Sequence, residues 1–140
     1  MGLVSFVFTK FDAEKKKELQ KGMQLKQDII IKGVKVKKVG KTGEVIEIDF
    51  GARVDYSPDI ARISIEGAAT FVESPEDTKT IKASFDKNKK LPAKWGVNIL
   101  NIILIRANIK ILMLSQDLNL PPHIGMPTIG ANHKVSEYIG

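Results

Sequence analysis

The segment from Pro92 to Ser115 is apolar on too many sides to be an ordinary surface helix. Advancing about 100° per residue, Lys94, Asn98, Asn101, Asn108 and Ser115 fall within one arc of about 100°. Val97, Ile99, Leu100, Ile102, Ile103, Leu104, Ala107, Ile109, Ile111, Met113 and Leu114 fill most of the remaining girth. A helix on the outside of one sheet needs a single apolar stripe, whereas about two-thirds of this circumference is apolar. Apolar surface left wet costs about 25 cal/mol per Å², so the pattern predicts a second cover. The chain's own loops and tail are one candidate, and a partner chain is the other. With 140 residues there is little left to form a second layer, so a partner is expected. Ile99, Ile102, Ile103, Ile109 and Met113 are the expected contacts between the subunits of a dimer or tetramer.

The residues before this helix read as strands. Val4, Phe6 and Phe8 alternate with Ser5, Val7 and Thr9, giving a first strand from Leu3 to about Phe11. "DAEKKKELQKG" reads either as a short helix from Asp12 to Gly22 or as a continuing strand and loop. It has no clear apolar stripe, which favours the second reading. A second strand starts near Leu25; Ile29 and Ile31 share one parity, Val34 and Val36 the other, so a bulge is expected at Gly33. In "EVIEIDFGARVDY", Ile46, Ile48, Phe50, Ala52, Val54 and Tyr56 share a face. In "IARISIEGAATFV", Ala61, Ile63, Ile65, Ala69 and Phe71 do the same. Strict period two around "SPD" predicts an antiparallel hairpin with one wet face. "SPED" at Ser74 then starts a short helix, with Ser74 as N-cap and Pro75 at the first helical position. Strands over about 3–73 followed by helices over about 75–115 predict one α+β domain spanning 1–140: a four-stranded antiparallel sheet with the long helix packed on one face. A proline-rich apolar strap over 116–130 and a short tail over 131–140 complete it.

Composition removes several functions. Cysteine is absent, so no disulfide or thiolate site exists. The two histidines, His123 and His133, have neither the company nor the spacing of metal ligands. "GKTG" at Gly40 lacks the upstream glycine and the helix of a phosphate loop and reads as a tight turn. Asp49 and Asp55 lie on the wet strand face, where charge is ordinary. No catalytic set is present, so an enzyme is not expected, and no cofactor or metal is implied. The N-terminus has no cleavable leader pattern. The longest uncharged run, Trp95 to Ile105, falls short of the about 20 residues of a membrane span. A soluble cytoplasmic protein without membrane insertion is therefore expected. A formal charge of +6 admits RNA or an acidic protein as partner. Yet the wet face mixes Glu47, Asp49, Asp55 and Glu66 with Arg53 and Arg62, and it lacks the aromatics of a sheet that reads nucleic acid. Nucleic acid is disfavoured.

The strap "LSQDLNLPPHIGMPTIG" follows the long helix. Pro121 and Pro122 forbid further helix and favour an extended path. Leu118, Leu120, Ile124, Met126 and Ile129 hang apolar side chains from it. The strap either plugs the end of the core or borders an apolar groove for other chains. "EGAATFVE", "LPAKWGVNILNIILIRANIKILMLSQ" and "DLNLPPHI", in that order and spacing, resemble the SecB family of export chaperones over about the last two-thirds of the chain. The resemblance implies a tetramer with long helices sandwiched between two sheets. It implies a holdase that binds unfolded or non-native polypeptides in apolar grooves without ATP, in the service of protein export. By position it assigns Met23, Leu25, Leu118, Leu120, Ile124 and Met126 to polypeptide binding. Family members dock the SecA motor on an acidic sheet face; here that face is interrupted by Arg53 and Arg62. Ile, Lys and Glu are abundant, a composition that suggests a thermophile such as an archaeon. A basic oligomeric module of the same fold, for RNA or an acidic protein, is the alternative function.

Overall fold

The structure is a computed structural model, and it describes residues 2–41, 43–127 and 129–130. Strands β1 (Gly2–Lys15), β2 (Gln24–Val39), β3 (Gly43–Ser57) and β4 (Ala61–Val72) precede helices α1 (Pro75–Asn88) and α2 (Ala93–Asp117). All strand pairs are antiparallel and the sheet order is β1-β4-β3-β2, so β1 and β2 are the edges. The α+β architecture expected from the sequence is the one observed.

The β3–β4 hairpin forms the centre because its alternation is uninterrupted. Ile46 pairs with Phe71, Phe50 with Gly67 and Val54 with Ile63, and these side chains line one face. The edge strands are re-phased by bulges. In β2 the register shifts between Ile31 and Gly33, so Ile29, Ile31, Val34 and Val36 all face the helices, as the parity switch at Gly33 requires. In β1 a shift between Phe8 and Lys10 places Phe6, Phe8 and Phe11 on that same side. β1 continues to Lys15, so the segment after Asp12 is strand and then loop.

Gly67 is required by packing. A Cβ there would run into the Val7 carbonyl oxygen of β1 and lie 2.7 Å from Phe50 Cζ. The Phe50 ring thus lies over the glycine, with the Phe6 and Phe8 ring centroids 5.1 and 6.3 Å from its own.

Helix α1 starts as its sequence demands: Ser74 Oγ accepts from Asp77 N at 3.2 Å, with Pro75 in the first turn. Ile81 and Phe85 face inward, and α1 packs on β2 and β3. Helix α2 packs on β4 and β3. Its buried residues are Trp95, Gly96, Ile99, Ile103, Ala107, Ile111 and Ser115, essentially one row of residues four apart. Such a row is inclined about 26° to the helix axis, and it stays in contact because the sheet beneath it twists. The core has two parts under this row. One holds Phe50, Phe71, Ile81, Phe85, Trp95, Ile99 and Ile103. The other holds Val54, Tyr56, Ile63, Ile65, Ala107, Ile111 and Leu120.

Two expectations about α2 are corrected. Ile99 and Ile103 are 0% exposed, so their side chains are used against the chain's own sheet and not between subunits. Ser115, placed on the polar arc by the wheel, is buried, and its Oγ donates to the Leu112 carbonyl at 2.8 Å. Ile102 is half-buried against the core. Ile109 and Met113 point away from it and are exposed.

Candidate functional site

Three flanks of α2 behave differently. Toward β1, Arg106 lies over the Phe6 ring at 5.3 Å, and Lys110 over the Phe8 and Phe11 rings at 5.7 and 5.2 Å. The two charges that interrupt the apolar run therefore roof the β1 aromatics. Away from the sheet, Val97, Ile105, Ile109 and Met113 form a row with 52–65% of their surface exposed. It runs two residues out of step with the buried row and so lies about half a turn away. Asn101 interrupts it.

Toward β2 the helix leaves a groove. Its wider part, about 500 Å³, is lined by Ile29, Ile30, Ile31, Lys89, Lys90, Leu91, Gly96 and Leu100. It continues through about 270 Å³ between Gln27, Ile29, Leu100, Asn101 and Leu104. The walls are an edge strand on one side and, on the other, the α1–α2 connection followed by the first three turns of α2. Asn108 Oδ1 then bars the way. It accepts from Gln27 Nε2 of β2 at 2.6 Å and lies 2.8 Å from His123 Nε2 of the strap. His123 Nδ1 is buried without a partner, and burial holds the imidazole below its ordinary pKa. With Asn108 Oδ1 as acceptor for both neighbours, the proton of neutral His123 sits on Nε2. Beyond this bar a smaller hollow of about 300 Å³ lies between Leu112, Gln116, Asn119, Leu120, Pro122 and Met126.

The strap is anchored as well as apolar. Leu120 is 6% exposed and packs in the second core cluster. Its backbone N–H bonds the Ser115 carbonyl at 2.8 Å, and the Tyr56 hydroxyl donates to the Pro121 carbonyl at 2.6 Å. Burial raises the Tyr56 pKa, which keeps this donor protonated.

The residues expected to bind polypeptide are therefore dispersed. Leu120 is packed into the second core cluster and only its edge reaches the hollow beyond the bar, so it is chiefly a core plug. Met23 and Leu118 are partly buried against the same cluster, and Ile124 is half-buried. Leu25 and Met126 are exposed, with Met126 on the hollow beyond the bar. None of the six lines the longer groove. Its own walls, Ile29, Ile31, Leu91, Leu100 and Leu104, were all visible as apolar residues but carried no sign of which element they would face.

The open face of the sheet is a lattice of ion pairs. Lys35 meets Asp49 at 3.1 Å, Lys37 meets Glu47 at 2.7 Å, Arg53 meets Asp55 at 2.8 Å and Arg62 meets Asp12 at 3.3 Å, while Lys32 pairs with Glu66. These five cations are matched by carboxylates, which weakens a phosphate footprint there. Among the described residues no three His, Cys, Asp or Glu side chains gather as a metal site. His133 lies outside the described residues. By length and composition α2 is apolar enough to cross a membrane; here one of its rows is packed on the sheet.

This four-stranded sheet with a short and a long helix on one face is a SecB-like α+β fold. A solved structure from Mycobacterium tuberculosis, the SecB-like chaperone Rv1957 in complex with a ChAD peptide from the Rv1956 HigA1 antitoxin, superposes with a TM-score of 0.57. The match covers 94% of this chain and 92% of that one, at 15% sequence identity. No protein-family model matches the chain, and no curated protein matches it significantly.

Proposed function

We propose that the protein is a nucleotide-independent holdase that binds extended, non-native polypeptide segments in the groove between β2 and α2. The observation that carries this reading is a long, open, mostly apolar trough beside an edge strand. Extended chains with alternating apolar side chains suit such a trough, and aliphatic walls without fixed polar partners favour loose recognition. The SecB-like neighbour, which holds a peptide, supports the reading at the level of fold. No catalytic machinery is assigned, and a service in protein export is the further step of this proposal.

The uncovered row Val97, Ile105, Ile109 and Met113 is proposed to meet another copy of the chain, giving a dimer or tetramer in the cytoplasm. Solution mass tests this part: a value near 15.5 kDa at high concentration would exclude it. Suppression of client aggregation, followed by light scattering, tests the holdase. Leu100→Ser with Leu104→Ser should weaken suppression while leaving the assembly mass unchanged. Full suppression by that double variant would remove the groove from the reading.

A further inference from the structure

The groove is electrically lopsided. The titratable side chains on its walls are Lys89 and Lys90, both at the end where α1 gives way to α2. Among the described residues no carboxylate lines it. Asp28 and Lys32 belong to the opposite face of β2, and Lys32 is already paired with Glu66. The nearby Asp86 is paired with Lys82 at 2.7 Å. Lys89 is held in place: it caps α1 in the left-handed region at φ 57°, and its ammonium lies 5.5 Å from the Phe85 ring centroid.

Lysines are common at helix C-termini, where they answer the helix dipole. That role is met inside the last turn of α1 by Lys87. Lys89 and Lys90 come after it, on the groove wall. Helix α2 then begins at Pro92 with no side-chain cap and no acid in its first turn, so its N-terminal end adds potential of the same sign. Positive charge at one end of an apolar trough selects for a carboxylate on the segment that fills it.

We infer that the groove prefers extended apolar segments flanked on one side by aspartate or glutamate, with the carboxylate seated at Lys89 and Lys90. The inference rests on the polypeptide-binding reading above and names its client class. Length follows from the walls. From Ile31 to the Gln27–Asn108 bar is four residue steps of β2, about 13 Å at about 3.3 Å per step. The preferred segment is thus four or five residues, apolar at alternate positions, with its acid at the end away from the bar.

The test uses three fluorescent peptides sharing one five-residue apolar core and flanked by two aspartates, two serines or two lysines. Binding to the full chain is followed by anisotropy at low and at physiological salt. The acid-flanked peptide should bind about tenfold tighter than the lysine-flanked one at low salt, and the gap should narrow with salt. Lys89→Glu with Lys90→Glu should abolish or reverse the order of the acid-flanked and lysine-flanked peptides. Equal affinity for all three peptides would overturn the charge preference and leave the groove standing. A preference that survives in the double variant would assign it to the overall +6 charge and also overturn the inference. Failure of all three to bind would count against the groove itself.

Discussion

Replacing Leu120 by Ala separates two roles for the strap. If Leu120 were a contact for bound chains, its loss would weaken binding and leave stability alone. The structure places it instead at 6% exposure among Tyr56, Ile60, Ala107 and Ile111. Leu→Ala in a rigid core costs about 2.7–5 kcal/mol, depending on how far the site collapses. The strap is bonded at Leu120 N and Pro121 O but lies after the last helix, so it can settle into part of the cavity. A cost of about 2–3 kcal/mol follows. With a urea dependence of about 1–3 kcal/mol per M, the unfolding midpoint should fall by about 0.7–3 M with the slope unchanged. Protein concentration must be held fixed, because assembly shifts apparent stability. Client affinity per folded molecule should change little. A midpoint that moves by less than about 0.3 M, together with a loss of client binding, would refute the plug and restore Leu120 to a binding wall.

Three other perturbations address particular contacts. Gly67→Ala should destabilise by about 2–3 kcal/mol, because its Cβ meets β1 backbone and the Phe50 ring with no free space; an unchanged melting temperature would show that β1 yields. Thr78→Val should stabilise by about 1 kcal/mol, since Thr78 Oγ1 is buried with no partner, and a loss in thermal or urea midpoint would contradict that orphaned state. Acidification should loosen the strap: burial lowers the His123 pKa, so the undocked form, with an ordinary value near about 6.5, takes up the proton first. Strap stability is then full above about pH 6.5 and falls as pH drops below it toward the folded-state pKa. Faster amide exchange at Leu120 and Ile124 at pH 5 than at pH 7.5, after correction for intrinsic rates, is the expected sign, and equal protection would count against it.

Much of the architecture was written in alternation. The β3–β4 hairpin, the bulge at Gly33 and the start of α1 at Ser74 each depend on side chains within a few residues of one another, so local chemistry settles them. The failures are all choices between distant partners. Ile99 and Ile109 look the same on a wheel, yet the first is buried by the sheet and the second faces outward. Leu120 and Met126 sit six residues apart on one strap, yet a single pair of bonds to Ser115 and Tyr56 draws the first into the core. Gln27 and Asn108, 81 positions apart, carried no signal that they would meet. Helical and strand periods report that a residue is covered, not by what.

That distinction bears on why α2 is apolar over about two-thirds of its girth. A helix with one partner needs one stripe, and hydropathy alone would suggest either a buried helix or a membrane span. Here the inward row has the sheet, the outward row is proposed to have a second copy, and the β2 flank is proposed to hold clients. Apolar residues cannot encode which flank takes which partner, because burial has no direction. The polar residues between them do. Arg106 and Lys110 cover the β1 side over aromatic rings. Asn108 faces β2 and ties strand to strap with one oxygen, which sets where the opposite trough ends. Asn108→Leu would retain the bulk but remove the acceptor, leaving the Gln27 amide and the His123 ring without their shared partner. The groove should then run on toward the Met126 hollow and accept longer segments. If peptides of five and nine apolar residues gain no affinity difference in that variant, the bar is not what limits the groove.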